Sequence, residues 1–263
     1  MSFEQEFFDR FEINTKHLTD RMALVKAILS SFSAIPYENI SKILAFSQAK
    51  SLDDALQPPQ TVWEGYLCKH LGGTCYSLTN LLRSILHHCG FLTKYFLADM
   101  KAGKNMHCGL IVVENKRMYL TDPGYLITTP IELLQENIHV KTSLTDIDII
   151  YEEGHYHLYT TTLHGGRKWR YTISSIFDHD APFLEAWKAS YTPRNMSNLC
   201  LTVTNGKEQL YFQRDFTRIS SRDEKKNIKI SSSVPHHIAD LFGIDETLVE
   251  EAYELTKEIH NGR

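Results

Sequence analysis

Cys75, His107 and Asp122 are the residues whose types and spacing could carry out covalent chemistry together. A thiolate is the nucleophilic form of cysteine, so a reactive cysteine needs its pKa lowered. Cys75 stands in Leu71-Gly-Gly-Thr-Cys-Tyr-Ser-Leu78, and Leu78, Leu81, Leu82, Ile85 and Leu86 follow at helical spacing. That pattern predicts a helix beginning at the thiol, whose unpaired N–H groups and positive dipole end favour the anion. Gly72 and Gly73 let the backbone turn sharply and come close to a substrate, which a Cβ would resist. Taken alone, the stretch reads first as a loop into a helix with a small buried thiol at its start.

Partners change that balance. A cysteine nucleophile uses a histidine as proton acceptor and a carboxylate to orient the imidazole. Met106-His-Cys-Gly-Leu-Ile-Val-Val places His107 at the entrance of a β-run, and Tyr119-Leu-Thr-Asp-Pro-Gly-Tyr places Asp122 at the exit of the next. Glu114-Asn-Lys-Arg117 is a hairpin turn between them. If the two runs pair, residues 107 and 122 come close and share a face. Each residue alone has a plainer reading, a strand-edge histidine and a turn carboxylate. All three in one geometry predict a Cys-His-Asp nucleophilic triad. On a regular strand Cys108 points away from His107, as a core thiol.

The elements that must position these groups fall in blocks. The first ninety residues read as helical, with Asp20 capping the run Met22, Leu24, Val25, Ile28, Leu29, a weaker helix from Leu44 to Leu56 ending at Pro58-Pro59, and Gly90 closing the helix after Cys75. Short β-rich runs follow, with hairpins expected around 114–117, around Gly165-Gly166, and around Asn205-Gly206. The end turns helical again, with Asp245 as a cap. This order argues an α+β fold.

Composition excludes several classes. The apolar fraction is 42%, the charged fraction 23% and the net charge -4, which is an ordinary globular balance with no basic cluster for nucleic acid. No apolar run reaches about 18 residues, so no membrane span is expected, and no secretion signal is read at the start. The five cysteines (68, 75, 89, 108, 200) show no framework spacing, which fits free thiols in a reducing cytoplasm. No metal is expected, because Cys68, His70, Cys75, His87, His88 and Cys89 lack ligand spacing. His155 and His157 read as exposed strand histidines, Arg222-Asp-Glu-Lys-Lys226 as a solvated loop, and Tyr191-Thr-Pro-Arg-Asn-Met as structural.

Over nearly the whole chain the sequence resembles the arylamine N-acetyltransferases. Leu71-Gly-Gly-Thr-Cys-Tyr-Ser is similar to their Arg-Gly-Gly-Phe-Cys-Tyr-Glu motif, and Ala34-Ile-Pro-Tyr-Glu-Asn-Ile to Ile-Pro-Phe-Glu-Asn-Leu. Met106-His-Cys-Gly-Leu-Ile-Val resembles their histidine strand, and Leu120-Thr-Asp-Pro-Gly-Tyr their Asp-Val-Gly-Phe-Gly turn. Phe7-Phe-Asp-Arg-Phe and Leu241-Phe-Gly-Ile are similar to the family's entry and closing segments. The resemblance implies a cysteine-protease-like core in three parts: a helical bundle (1–90) carrying Cys75, a β-barrel (91–190) carrying His107 and Asp122, and an α/β lid (191–263). It implies ping-pong transfer from acetyl-CoA, as co-substrate with no permanently bound cofactor, to an arylamine, arylhydrazine or N-hydroxyarylamine. Tyr37, Gly124 and Tyr125 are then substrate-binding, and Glu38, Gly72 and Gly73 structural supports.

The sequence also departs from the family. Leu71 replaces the arginine that pairs with the counterpart of Glu38, so Lys69 or His70 is expected as the substitute. Ser77 replaces a glutamate, Pro123 a valine, and Leu126 the second glycine of the turn, on the side from which the donor approaches. That last change favours an amide synthase of the same fold using another acyl thioester as the alternative; a transglutaminase-like cysteine hydrolase is the more distant one.

Overall fold

The computed structural model describes residues 1–14, 20–162, 165–205 and 207–261. Six helices come first, interrupted by one short strand: α1 (Phe3–Arg10), α2 (Arg21–Phe32), β1 (Tyr37–Glu38), α3 (Ile40–Gln48), α4 (Leu52–Ala55), α5 (Pro59–Lys69) and α6 (Cys75–His88). Asp20 caps α2 by accepting from the Met22 N–H at 2.9 Å. Helix α5 lies where the sequence reading has none. Pro58-Pro59 reads as a break, but Pro59 occupies the first helical turn, where its missing N–H costs nothing. Helix α6 starts at the thiol and ends before Gly90, whose φ of +72° terminates it.

Strands β2 (Leu92–Met100), β3 (Gly103–Glu114), β4 (Arg117–Thr121), β5 (Ile131–Glu132), β6 (Ile138–Lys141), β7 (Asp146–Glu152), β8 (His155–Thr162) and β9 (Gly165–Phe177) form an eight-stranded sheet in the order β5-β4-β3-β2-β9-β8-β7-β6. It curls into a nearly closed barrel whose edge strands β5 and β6 do not pair with each other among the described residues. The turn after β3 has Asn115 and Lys116 at φ +50° and +64°, the left-handed pair that joins twisted strands tightly. Residues 163–164, between β8 and β9, lie outside the described residues, and the Gly165-Gly166 pair expected at the turn belongs to β9 itself.

Helices α7 (Ala181–Ala189) and α8 (Pro193–Met196) lead into a second sheet, β10 (Cys200–Thr204), β11 (Glu208–Gln213), β12 (Phe216–Ser221) and β13 (Lys225–Ile228), closed by α9 (Val234–Phe242) and α10 (Glu246–His260). The β10–β11 hairpin is present, though its Gly206 lies outside the described residues. Strand β1 joins the edge of this sheet against β10, so the segment preceding α3 belongs to both halves of the molecule. Asp245 caps α10 through the Thr247 N–H.

Three apolar cores hold the parts together. One packs α1, α2, α5 and α6 against the outer face of β2 and β3 and includes Phe183 and Trp187 of α7. A second fills the barrel, and a third packs α3, α9 and α10 on the second sheet. Arg222 departs from its expected place in a solvated loop. It is partly buried and donates to Thr142 O and Asp146, both at 2.8 Å, tying the second sheet to the barrel. Among the described residues no helix is long and apolar enough to cross a membrane.

Candidate active site

The hairpin register places the acid and the imidazole. Leu110 pairs with Thr121 and Glu114 with Arg117, so Asp122 leaves β4 diagonal to His107. His107 Nε2 lies 2.7 Å from Asp122 Oδ2, and both side chains are buried, at 3% and 0% exposure. His107 lies inside β3, paired with Ala98, and not at the strand entrance. Its ring is fixed between aromatic neighbours, Tyr125 edge-on at 4.9 Å and Tyr171 at 4.8 Å.

Asp122 is held from three directions. Oδ2 also accepts from the Tyr171 hydroxyl at 2.7 Å, and Oδ1 from the Tyr125 N–H at 3.0 Å. Tyr171 is a site residue that the sequence reading missed. It lies 49 positions from Asp122, on a strand that reaches β2 only through the tertiary fold. No spacing within the sequence signals that contact.

Cys75 opens α6 at 5% exposure. Its thiol is held well below the ordinary range by a hydrogen bond from the Cys108 thiol, against the opposing effect of burial, and further by the hydrogen bond and charge of His107 and the charge of Lys42. Burial alone would depress His107, but the Asp122 carboxylate and the hydrogen bond with Cys75 raise it to about 10. With Nε2 on Asp122, the other ring nitrogen is the one left for the sulfur. The arrangement therefore favours a thiolate beside an imidazolium, a pair suited to nucleophilic attack followed by proton return. Cys108 is buried in the core, with its Sγ 3.6 Å from Thr79 Oγ1. Its influence on the Cys75 thiol is one that strand alternation does not anticipate.

The glycines before Cys75 serve close packing of the chain on itself. A Cβ at Gly72 would lie 1.9 Å from the Pro36 carbonyl oxygen, and one at Gly73 would lie 2.6 Å from Ser77 Cβ. Gly124 is as constrained, since a Cβ there would meet Cys75 Cβ at 2.9 Å and His107 Cε1 at 3.0 Å. Leu126, two residues on, takes a left-handed φ of +54° and faces the cavity.

Glu38 is fully buried, and neither Lys69 nor His70 pairs with it. Its carboxylate accepts from Ser41 Oγ at 2.6 Å, Ser41 N at 2.9 Å and Gly72 N at 3.1 Å. Burial raises its pKa against those hydrogen bonds. The partner supplied by an arginine elsewhere is replaced here by a hydroxyl and two backbone amides, and Leu71 is left free to pack in the core of the second sheet.

Cys75, His107, Gly124, Tyr125 and Tyr37 all line one cavity of about 550 Å³ between the barrel and the second sheet. The remaining lining is mixed. Met100, Ile127 and Leu158 are apolar, while Lys168, Arg170, Arg218 and Lys225 bring positive charge. Among the described residues no group of His, Cys, Asp and Glu side chains could hold a metal ion, and His155 and His157 sit on β8 with ring centroids 6.5 Å apart.

Residues 22–248 match the sequence model of a family described as N-acetyltransferase. Solved structures share the fold at low identity. The arylamine-N-acetyltransferase of M. tuberculosis is 17% identical, with 97% of this chain and 99% of that one covered and a TM-score of 0.79. The Mycobacterium marinum arylamine N-acetyltransferase in complex with CoA is also 17% identical, with 98% of each chain covered and a TM-score of 0.79. A Bacillus cereus arylamine N-acetyltransferase, described as having a unique Cys-His-Glu catalytic triad, is 16% identical over 93% of this chain and 99% of that one, at a TM-score of 0.71. No curated protein sequence matches the chain significantly.

Proposed function

The chain belongs to the N-acetyltransferase family, and from that premise we propose that it carries an acetyl group from acetyl-CoA to an aromatic amine through a thioester on Cys75. The Cys75 thiolate attacks the acetyl carbonyl, the carbon–sulfur bond to CoA breaks, and the His107 imidazolium gives its proton to the departing CoA thiolate. The amine then attacks the acetyl-enzyme, His107 takes a proton from the amine nitrogen, and the Cys75 thiolate leaves. Asp122 keeps the imidazole oriented and offsets its charge, and Tyr171 and the Tyr125 N–H keep Asp122 in place. The first N–H groups of α6 have no partner within the helix, which suits them to the tetrahedral oxyanion.

The observation that carries this reading is the buried 2.7 Å pair of His107 and Asp122 set against a thiol at a helix N-terminus. The CoA complex of the Mycobacterium marinum relative supports acetyl-CoA as the donor, and the positive charges lining the cavity suit its phosphates. Intact-protein mass after mixing with acetyl-CoA and no amine tests it. An acetyl increment that disappears in Cys75→Ala is expected. No increment in the unaltered chain sinks the donor assignment, and an increment that survives Cys75→Ala sinks the nucleophile.

A further inference from the structure

The strand that carries Tyr171 departs from regular pairing at that point. Leu158 faces Tyr171, but the next pair is Tyr159 with Trp169, so Arg170 has no partner on β8 and forms a bulge. A bulge adds one residue to one strand and re-aims the side chains around it. Here it shifts the phase of the strand. Before it, Lys168 and Arg170 alternate toward the cavity while Trp169 between them is 39% exposed. After it, Tyr171 and Ile173 alternate into the barrel core. A regular strand holding Tyr171 inside would turn Arg170 outward.

The guanidinium so delivered has one anchor. Arg170 Nε donates to Thr160 Oγ1 at 2.6 Å, and Thr160 lines the same cavity. Two other arginines are paired with acids, Arg167 with Asp148 and Arg222 with Asp146, and Arg218 on the same cavity donates to Asn227 Oδ1. Among the described residues no carboxylate pairs with Arg170. Its charge reaches the phenol of Tyr125, the ring that packs edge-on against His107. A half-buried planar fork on the cavity that Cys75 and His107 line, with no partner for its terminal nitrogens among the described residues, matches a carboxylate in both charge and shape. The apolar walls at Met100, Ile127 and Leu158 suit an aromatic ring beside it.

We propose that Arg170 receives the carboxylate of the acceptor, so that the amines this enzyme prefers are aromatic amines bearing an acid group. The inference rests on the acetyl-transfer reading above. Lys168, on the same wall, adds to the field. The other anions that enter the cavity are the CoA phosphates, for which Arg218 and Lys225 stand on the second sheet.

The test compares 4-aminobenzoate with its uncharged amide, 4-aminobenzamide, titrated by calorimetry into the full chain and into Arg170→Gln and Arg170→Lys. The unaltered protein should bind the acid about tenfold to a hundredfold more tightly than the amide, the range expected for hydrogen bonds to a charged group. Arg170→Gln should abolish that preference, and Arg170→Lys, which keeps the charge without the fork, should restore part of it. Equal binding of acid and amide by the unaltered protein overturns the proposal. So does a parallel loss of both in Arg170→Gln, or weaker calorimetric binding of CoA to that variant with the acid-to-amide ratio intact, which would assign the guanidinium to a donor phosphate. Because binding is read without turnover, failure to form the acetyl adduct on Cys75 counts against the transfer reading and leaves the Arg170 result standing.

Discussion

The hydrogen bond from Cys108 and the imidazolium of His107 pull the Cys75 thiol down, while Asp122 and the thiolate push His107 up to about 10. Both shifts favour the Cys75 thiolate over the thiol. Alkylation of Cys75 by iodoacetamide should run at its plateau from about pH 7 to 9 and fall only in acid. A free thiol would instead gain about tenfold per pH unit up to its ordinary pKa near 8.5. His107→Gln should convert the flat profile into the rising one; a flat profile in that variant would remove His107 as the thiolate's partner. Gly124 supports the same geometry by having no Cβ. Gly124→Ala places a methyl group under 3.0 Å from Cys75, against two side chains with no room to retreat, so acetyl-enzyme formation should slow by at least about tenfold with the fold retained, as read by mass and circular dichroism. Asp122→Asn presents an N–H to the donors of His107 and Tyr171 and should cost about a thousandfold or more in kcat, by the magnitude known for triad carboxylates. The proximity of His107 and Asp122 is legible in the sequence because one tight hairpin joins their strands. Tyr171 and Cys108 reach the site through packing of separate elements, which no local spacing encodes.

Elements are positioned by groups outside the triad, and one of them, Lys42, also adds its charge to those that lower the Cys75 thiol. Lys42 of α3 is 4% exposed and donates to Ser190 O at 2.8 Å and Ser190 Oγ at 2.7 Å, with its ammonium 4.3 Å from the Tyr191 ring centroid. It clamps α3 to the end of α7. Burial lowers its pKa to about 8 from an ordinary 10.5. Below pH 8 both folded and unfolded chains hold the proton, and the folded chain bears the full penalty. Between 8 and 10.5 the unfolded chain binds more protons, so stability from this group rises with pH. The shift corresponds to roughly 3 kcal/mol. Urea denaturation should show unaltered protein gaining stability relative to Lys42→Met between pH 7.5 and 10; a constant difference would mean the ammonium is not desolvated in the fold. Nothing in Ile40-Ser-Lys-Ile43 marks the lysine as buried, because its partners come from residues about 150 positions later. Helix α5 and the Arg170 bulge were hidden for a different reason. Pro58-Pro59 is as compatible with a helix start as with a stop. A period-two strand pattern cannot show where its phase shifts, since an inserted residue moves every later side chain to the other face.

Across the whole molecule, the order of helices, curled sheet and mixed end is readable from block changes in hydrophobic period. What lies between the blocks is not. The cavity forms only when the second sheet closes over the barrel, held by β1 on β10 and by Arg222 on Thr142 and Asp146. This closure puts Arg218 of β12 and Lys225 of β13 on the same cavity as Cys75, although Arg218 lies 143 positions from Cys75 in the chain. A donor with several phosphates would feel the charge of both walls before its thioester reached the nucleophile. Such steering is screened over a Debye length that shrinks from about 10 Å at 0.1 M salt to about 3 Å at 1 M. Raising sodium chloride from 0.05 to 0.5 M should therefore raise the KM for acetyl-CoA several-fold, and Arg218→Ala should both raise that KM and flatten its salt dependence. Alkylation of Cys75 by uncharged iodoacetamide should hold constant over the same range, because the buried His107–Asp122 pair is not exposed to the added ions. A KM indifferent to salt would mean that the phosphates bind away from this wall, and that the thioester reaches Cys75 from the turn at Gly124–Leu126 without guidance from the second sheet.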